Sequence, residues 1–200
     1  MIRSEQDGRA RRITLAAPET RNILNFAFAD LFLTELIDAE EDPDTAAILI
    51  DAEGPVFCGG MDFTDPPPTA IFNFGERATK PVIVAMQGVA LSVGVVLLAN
   101  AHIVVAAQGS SFGLTDLREG RCDQRVQAAV ARVLGQRRTL ELALTGRVFT
   151  TPDALNWGLA HAAVPAFELD DRALAVVQGV AGANREAVKA ILRLPPQGAD

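Results

Sequence analysis

Hydrophobic and polar positions along the chain follow two different periods, and these periods predict the secondary structure. Short apolar runs bounded by turn residues, typical of buried strands, fall at about 46–51, 81–86 and 102–107, and residues 12–16 alternate like a short strand. Longer stretches with apolar residues three or four positions apart predict helices. Because strands alternate with helices, and helices gather at the C-terminal end, the pattern predicts an α/β fold.

The predicted helices carry start and stop signals. Asn25 can cap a helix that runs to about residue 41, and Gly135 can end a helix that begins near residue 125. Pro152 stands in the first turn of a later helix. Further helical stretches are expected at about 91–100, 137–144, 151–157, 170–179 and 184–194. We expect a single domain over 1–200, with a core over about 11–165 and C-terminal helices over about 166–194.

Composition narrows the range of functions. A formal net charge of −7 argues against a general nucleic-acid binder, and a chain with no tyrosine offers few stacking surfaces for bases. No apolar run reaches the roughly 18 residues of a membrane span, so no membrane partner is expected. Cys58 and Cys122 lack ligand or redox spacing, which favours a cytoplasmic setting, and no metal or redox cofactor is expected.

Two small-residue turns carry the clearest chemical signal. The segments FCGGMD at 57–62 and GVALSVG at 88–94 each follow an apolar, strand-like run and open toward a predicted helix. Such turns present backbone N–H groups that have no partner within the helix. Two turns that converge would form an oxyanion hole, which stabilises negative charge on a carbonyl oxygen. The sequence therefore indicates chemistry on an acyl group.

Several segments, in a fixed order, together carry a family resemblance. They are ITL at 13–15, RNILN at 21–25, FCGGMD at 57–62, KPVIVAMQGVAL at 80–91, SFG at 111–113, LTG at 144–146 and GLA at 158–160. In order and spacing the chain resembles the crotonase (enoyl-CoA hydratase/isomerase) superfamily from about residue 11 to 193. The resemblance implies a crotonase-like spiral of ββα turns with a helical C-terminal region. It also implies an acyl thioester of CoA or of a carrier protein as the substrate.

The resemblance implies roles for particular backbone groups. By position, the amide N–H groups of Met61 and Val93 would form the oxyanion hole that polarises the thioester carbonyl. The family usually has glycine where this chain has Val93, and a β-branched residue restricts the backbone there. The alternative is that residues 92–94 only pack the start of a helix. The residues expected to contact substrate are Gly60, Asp62, Arg21 and Gly94.

The acid–base groups depart from the hydratase pattern. Hydratases of this family use two glutamates, and the corresponding positions here are Val96 and Asp116. Loss of one carboxylate disfavours addition of water, whereas a single base suits a double-bond isomerase. Asp116 has about 1.5 Å less reach than a glutamate, a distance to which proximity effects are sensitive. Its alternative role is a helix cap or a strand-end partner for Arg118.

Asp123 is the second candidate base, because dienoyl-CoA isomerases and some hydrolytic and dehalogenating relatives carry an aspartate near this position. Its alternative role is the N-cap of the helix that begins near Gln124, which its placement fits well. His102 and His161 are expected to be structural. The arginines at 118, 121 and 125 would either receive phosphates of a carrier or remain solvated loop charges.

The sequence thus predicts an enzyme that processes an acyl thioester through an enolate, most readily an isomerase. Decarboxylation and C–C cleavage, a lyase-type activity, use the same intermediate and stay open. The alternative is a non-catalytic crotonase-like subunit that binds a thioester or a partner enzyme. The resemblance implies a homo-oligomer, a trimer or hexamer. Typical relatives continue well beyond Arg193, so we expect fewer contacts to the CoA nucleotide here, which makes a carrier-bound acyl group a reasonable substitute.

Overall fold

The computed structural model describes residues 1–193 and contains two sheets. The larger sheet has six strands in the order β1-β2-β3-β5-β7-β10, and the smaller has four in the order β4-β6-β8-β9. The strands are β1 Ile2–Asp7, β2 Ala10–Leu15, β3 Ala47–Ala52, β4 Val56–Cys58, β5 Val82–Met86, β6 Val89–Leu91, β7 Ile103–Ala107, β8 Ser111–Gly113, β9 Val148–Thr150 and β10 Ala162–Val164.

The helices follow the predicted order, except for the short helix at Phe74–Arg77, which was not predicted from the sequence. They are α1 Phe26–Glu41, α2 Phe74–Arg77, α3 Val93–Ala99, α4 Gln124–Leu134, α5 Gln136–Thr145, α6 Thr151–Asn156, α7 Leu169–Ala181 and α8 Arg185–Leu192. Short 3-10 turns lie at Pro18–Thr20, Thr69–Phe72, Asp116–Glu119 and Ala166–Glu168. The predicted end of the last helix at residue 194 lies outside the described residues. Within residues 1–193, no helix combines the length and apolar composition that a membrane crossing requires.

The central strands of the larger sheet are buried on both faces. In β3, Ile48 and Ile50 face the main core, whereas Ala47 and Leu49 face a second core that contains α7. Apart from the antiparallel hairpin of β1 and β2, neighbouring strands of this sheet run parallel. A parallel sheet covered on both faces has continuous apolar strands. The apolar stretches within 46–51 and 81–86 have this origin.

The chain alternates between the two sheets. After β3, β5 and β7 in the larger sheet, it adds β4, β6 and β8 to the smaller one, and a helical segment follows each pair. Because the connections repeat, β4, β6 and β8 lie side by side and parallel. This repeat is the ββα spiral that the family resemblance implies, and it brings the segments after the short strands to a common edge.

Helix α1 shows which of the apolar residues at helical spacing are buried. Oδ1 of Asn25 accepts a hydrogen bond from the amide of Phe28 at 2.8 Å, so the predicted N-cap is confirmed. Phe28, Phe32 and Leu36, four residues apart, are buried together. Leu31 and Ile37, which also fit the helical spacing, are more than half exposed because they project at other angles around the helix.

Candidate functional site

The two turns singled out in the sequence contact each other. They follow β4 and β6, which are parallel neighbours with Cys58 paired to Ala90. A Cβ atom built on Gly94 would lie 2.7 Å from the carbonyl oxygen of Cys58, and one built on Gly60 would lie 3.7 Å from the Ser92 Cβ. Glycine at 94 therefore permits the backbones of the two segments to approach closely.

The first turn leaves one amide free. Leu24 donates its N–H to the Gly60 carbonyl at 3.0 Å, and Asp62 donates its N–H to the Leu24 carbonyl at 2.9 Å. These bonds involve Gly60 and Asp62, the two chain neighbours of Met61. Its own N–H finds no protein acceptor within the described part of the chain.

The second turn leaves another amide free. Val93 is the first residue of α3, and the carbonyl of Ser92 accepts hydrogen bonds from the amides of Val95 and Val96. For the N–H of Val93, residues 1–193 provide no hydrogen-bond acceptor. The valine side chain is fully buried in the main core.

Ser92 has an unusual conformation. It lies between β6 and α3 with φ 51° and ψ −116°, and it is one of three non-glycine residues with positive φ among those described. Its N–H donates to the carbonyl of Gly113 at 2.8 Å, and its hydroxyl donates to Oδ2 of Asp116 at 2.7 Å. A conformation of this kind persists only where surrounding contacts hold it. Here the contacts to Gly113, the last residue of β8, and to Asp116 hold it.

Asp116 is a buried carboxyl group beside the second turn. It is 9% exposed, and it begins the 3-10 turn that follows β8. Burial raises its pKa, the hydrogen bond from Ser92 opposes that rise, and the nearby charges of Glu119 and Asp123 add to it. Asp116 occupies neither of its alternative roles, as a helix cap or as a partner for Arg118. Thr115 is the N-cap residue, and the Arg118 side chain packs against Gly146.

Asp123 occupies its alternative role. It is the N-cap of α4, where Oδ1 accepts the amide N–H of Arg125 at 2.9 Å. The Arg125 guanidinium contacts Oδ2 at 2.6 Å, and these bonds lower the pKa of the Asp123 carboxyl group. Its carboxylate is therefore engaged within its own helix start.

The other candidate contact residues surround the first turn. Arg21 is exposed with φ 56°, and its carbonyl accepts the N–H of Gly59 at 2.9 Å. Asp62 accepts hydrogen bonds from the hydroxyl and amide of Thr64, and these bonds lower its pKa. Both residues thus stabilise the turn around Gly60, which has φ 124°.

The arginine patch is engaged by neighbouring side chains rather than free in solution. Arg121 lies over the ring of Phe63, 5.0 Å from its centroid, and it also approaches Glu119. Arg125 lies over the ring of Phe72 while it pairs with Asp123. These contacts hold the loop after Asp116 against the segment that follows the first turn.

Both histidines accept hydrogen bonds from backbone N–H groups, a structural role of the kind expected from the sequence. Nδ1 of His102 accepts the N–H of Val82 at 2.9 Å, and Nδ1 of His161 accepts the N–H of Val104 at 3.0 Å. Each histidine precedes a strand and satisfies the N–H of the adjacent strand. Their role is to complete the pairing of the larger sheet.

Two features of the site were not predicted from sequence. One is the hydroxyl of Ser92, which the A-x-S-x-G spacing between a strand and a helix could have indicated. The other is an apolar cavity of about 280 Å³ beside Asp116, whose lining comes from distant segments. Its lining includes Leu114, Leu117, Leu140, Ala143 and Leu144.

Metal ligands do not cluster in this part of the molecule. Among the described residues, no group of three His, Cys, Asp or Glu side chains is placed to hold a metal ion. Val96, at the first acid position, is fully buried in the main core. The candidate groups for chemistry at the two turns are the two amides, the Ser92 hydroxyl and the Asp116 carboxyl.

Comparisons with known proteins agree with this fold. Residues 72–194 match the sequence model of the family described as enoyl-CoA hydratase/isomerase. A Danio rerio protein, enoyl-CoA hydratase domain-containing protein 3, mitochondrial, is 28% identical over 92% of this chain and 69% of its own length. A probable enoyl-CoA hydratase, echA8, from Mycobacterium bovis is 30% identical over 94% of this chain and 80% of its own length.

Solved structures give the same picture. The crystal structure of an enoyl-CoA hydratase from Mycobacterium avium superimposes with a TM-score of 0.85 at 32% identity, covering 96% of this chain and 85% of that chain. Human enoyl-CoA hydratase domain-containing protein 3 superimposes with a TM-score of 0.90 at 26% identity, covering 96% and 81%. The chain spans about two thirds of the length of the domain-containing protein 3 relatives.

Proposed function

This chain belongs to the enoyl-CoA hydratase/isomerase family, and we propose that it processes acyl thioesters through an enolate held by the amides of Met61 and Val93. The observation that carries this proposal is that both N–H groups, on contacting turns, lack protein acceptors in the described chain. Asp116, whose side chain bonds the residue next to Val93, supplies the base.

Each group has one task in the proposed reaction. The thioester oxygen accepts hydrogen bonds from the two amides, which stabilise the negative charge that develops when the α-carbon loses a proton. The carboxylate of Asp116 takes that proton and returns it to the γ-carbon of the dienolate, so the double bond moves and no atom is gained or lost. The cycle uses no metal or redox cofactor.

The valine at position 96 favours isomerisation over hydration. Addition of water requires one group to activate the water and another to handle the proton at carbon. The relatives reported above are named hydratases, but a buried valine at position 96 cannot transfer a proton. Decarboxylation and C–C cleavage remain alternatives because they also produce an enolate.

A second candidate function is a non-catalytic subunit that binds a thioester. It is favoured by the same valine and by the engagement of Asp123 with Arg125, which occupies the second of the two candidate bases. In either role we propose a homo-oligomer, a trimer or hexamer, and CoA or carrier-protein thioesters as ligands.

The decisive experiment measures hydrogen exchange at carbon. Butyryl-CoA and 3-butenoyl-CoA would be incubated with the protein in D₂O and followed by mass spectrometry and proton NMR. We expect exchange at the α-carbon and migration of the double bond, both at least about 100-fold slower in Asp116→Asn. Asp123→Asn is the matched control. It retains an N-cap residue, and its exchange rate should stay within about threefold of the parent.

Three outcomes would change the proposal. Equal exchange in Asp116→Asn would remove Asp116 from the reaction. Absence of exchange, together with a rise of the melting temperature on addition of thioester, would favour the binding subunit. Absence of both would contradict thioester binding itself.

A further inference from the structure

The turn at Ser92 has the features of a nucleophile turn. Residues 90–94 read A-L-S-V-G, with small residues two positions before and two after the serine. The serine joins strand β6 directly to helix α3, with φ 51° and ψ −116°. A serine on a strained strand-to-helix turn is presented at the apex of that turn, beside the N–H of the next residue. Here that next N–H belongs to Val93.

A proton acceptor already contacts this serine. The Ser92 hydroxyl donates a hydrogen bond to Oδ2 of Asp116 at 2.7 Å. Within residues 1–193, the Asp116 carboxyl group accepts no other side-chain hydrogen bond. Both residues are buried, at 2% and 9% exposure. Burial raises the pKa of Asp116, so its carboxylate binds a proton more tightly than an exposed aspartate does.

Hydrogen-bond donors for a tetrahedral intermediate lie in the same two turns. The N–H groups of Met61 and Val93 have no protein acceptor in the described chain, and a Cβ atom built on Gly60 would lie 3.7 Å from the Ser92 Cβ. In serine acyl transfer, an N–H on the residue after the nucleophile and an N–H from a second loop together hold the oxyanion. The same two sources are present here.

Serine at this position also needs an explanation of its own. The backbone at residue 92 lies in a region that glycine adopts without strain, and glycine would leave the pairing of the strands intact. A strained, buried serine whose hydroxyl points at a buried carboxyl group indicates a function for that hydroxyl.

We propose that Ser92 is a nucleophile and that the protein hydrolyses acyl thioesters through an acyl-serine intermediate. This inference rests on the thioester binding proposed above and goes beyond its enolate chemistry. Asp116 accepts the hydroxyl proton as Oγ forms a bond to the thioester carbon, and the Met61 and Val93 amides hold the oxyanion. The C–S bond then breaks, and the proton passes from Asp116 to the departing thiolate.

The second half of the cycle uses water from solvent. Asp116 accepts a proton from a water molecule as the water oxygen attacks the acyl-serine carbon. The bond between that carbon and Oγ then breaks, and the proton returns to Oγ. The net reaction converts thioester and water into carboxylic acid and thiol, with no oxidant or reductant.

The test combines turnover with covalent trapping. Acetyl-, butyryl- and octanoyl-CoA are incubated with the protein, and free CoA is quantified by chromatography. Acid-quenched samples are analysed by intact mass and peptide mapping, and a fluorophosphonate probe reports a reactive serine. We expect release of CoA, an acyl adduct on the peptide that contains Ser92, and labelling of the same peptide.

Ser92→Gly is the informative variant, because glycine accepts this backbone conformation and keeps both amides in place. It should release CoA at least about 100-fold more slowly and should not be labelled. Ser110→Ala is the matched control. Ser110 is also buried, its hydroxyl has no partner within residues 1–193, and its removal should leave CoA release unchanged.

The outcomes separate the two proposals. If the protein exchanges α-protons but yields neither free CoA nor an adduct, the nucleophile is wrong and the enolate chemistry stands. If Ser92→Gly releases CoA within threefold of the parent rate, the nucleophile is also wrong. If acyl-CoA neither binds nor reacts, thioester binding fails and the present inference fails with it.

Discussion

The hydroxyl of Ser92 and the carboxyl group of Asp116 form a 2.7 Å hydrogen bond across two neighbouring strands of the smaller sheet. Ser92 follows β6, Asp116 comes three residues after β8, and the two strands pair in parallel with Leu91 opposite Gly113. Register thus places the Asp116 carboxyl group, the proposed base, beside the turn that carries the Val93 amide. A change at Asp116 will therefore alter both stability and chemistry at this site.

The first prediction concerns the charge on Asp116. Because burial raises its pKa in the folded state, the folded protein binds this proton more tightly than the unfolded chain does. The carboxyl group therefore contributes stability at low pH, and that contribution is lost as pH rises through the raised pKa. Asp116→Asn should melt about 2–4 °C above the parent at pH 7, and the difference should shrink toward the ordinary aspartate pKa of 3.8.

Thermal melts between pH 4 and 8 check this, with Asp123→Asn as the comparison of opposite sign. The pKa of Asp123 is lowered by Arg125, so its ionised form stabilises the fold, and the asparagine variant should melt lower at pH 7. A Tm of Asp116→Asn that lies below the parent by a constant amount at every pH would contradict the assignment of a buried, destabilising charge.

The second prediction concerns His102. Its Nδ1 must be unprotonated to accept the N–H of Val82, and burial lowers its pKa. The unfolded chain therefore binds a proton at higher pH than the folded chain does, and stability falls as pH decreases below 6.5. His102→Ala should lower the free energy of unfolding by about 1–3 kcal/mol at pH 7.5, because it leaves the buried N–H of Val82 without an acceptor.

Urea unfolding at pH 7.5 and pH 5.5 measures both effects. His102→Gln keeps an acceptor but cannot titrate, so its loss of stability between the two pH values should be smaller than that of the parent. His161→Ala should cost less than His102→Ala, because the exposed position of His161 lets water replace the ring. An unchanged pH dependence in His102→Gln would exclude this histidine as its source.

The third prediction concerns Arg12, which joins β2, β3 and α7. Its guanidinium contacts the carboxyl groups of Asp51 and Asp170, and Oδ1 of Asp51 is buried with no partner in the described chain. Arg12→Met would leave Asp51 unpaired at 9% exposure, at a cost of about 2–3 kcal/mol. Asp170→Asn should cost less than about 1 kcal/mol, since that side chain is 58% exposed.

A double-mutant measurement makes this prediction sharper. We expect Arg12→Met to lower the free energy of unfolding because it leaves the Asp51 carboxylate uncompensated. In that case, adding Asp51→Asn should recover at least half of the lost free energy, as measured by urea unfolding. A double variant as unstable as the sum of the two single variants would mean that the arginine acts through packing alone.

The sequence predicted the parts of the fold that depend on local pattern. Strands β3, β5 and β7 and helix α1 are long enough for a hydrophobic period to be read. Strands of three residues, such as β4 and β8, carry no readable period, so the smaller sheet was not predicted strand by strand. The N-terminal strand β1 was also missed, because most of its residues are polar and it pairs at the edge of the sheet.

The features of the candidate site also differ in whether they depend on local sequence. The Asp123 cap was anticipated because an N-cap depends on the residues that follow it within one turn. The bond between Ser92 and Asp116 was not anticipated, because it depends on the register of β6 against β8. Sequence therefore located the two turns, whereas only coordinates could pair the hydroxyl with the carboxyl group.

The last prediction tests whether the separation of the two turns matters. A Cβ on Gly94 would lie 2.7 Å from the backbone oxygen of Cys58, and a backbone atom cannot move aside as a flexible side chain can. Gly94→Ala should therefore displace the start of α3 and cost about 1–3 kcal/mol of unfolding free energy. The Val93 N–H would shift relative to the Met61 N–H, so butyryl-CoA should bind at least tenfold more weakly by calorimetry.

Gly179→Ala provides the matched control within α7, where an added Cβ meets no atom within 4 Å. This variant should gain about 0.5–1 kcal/mol from helix propensity and leave thioester binding unchanged. If Gly94→Ala lost stability but bound butyryl-CoA as tightly as the parent, the spacing of the two turns would not determine binding. The thioester oxygen would then have to be held by groups other than these two amides.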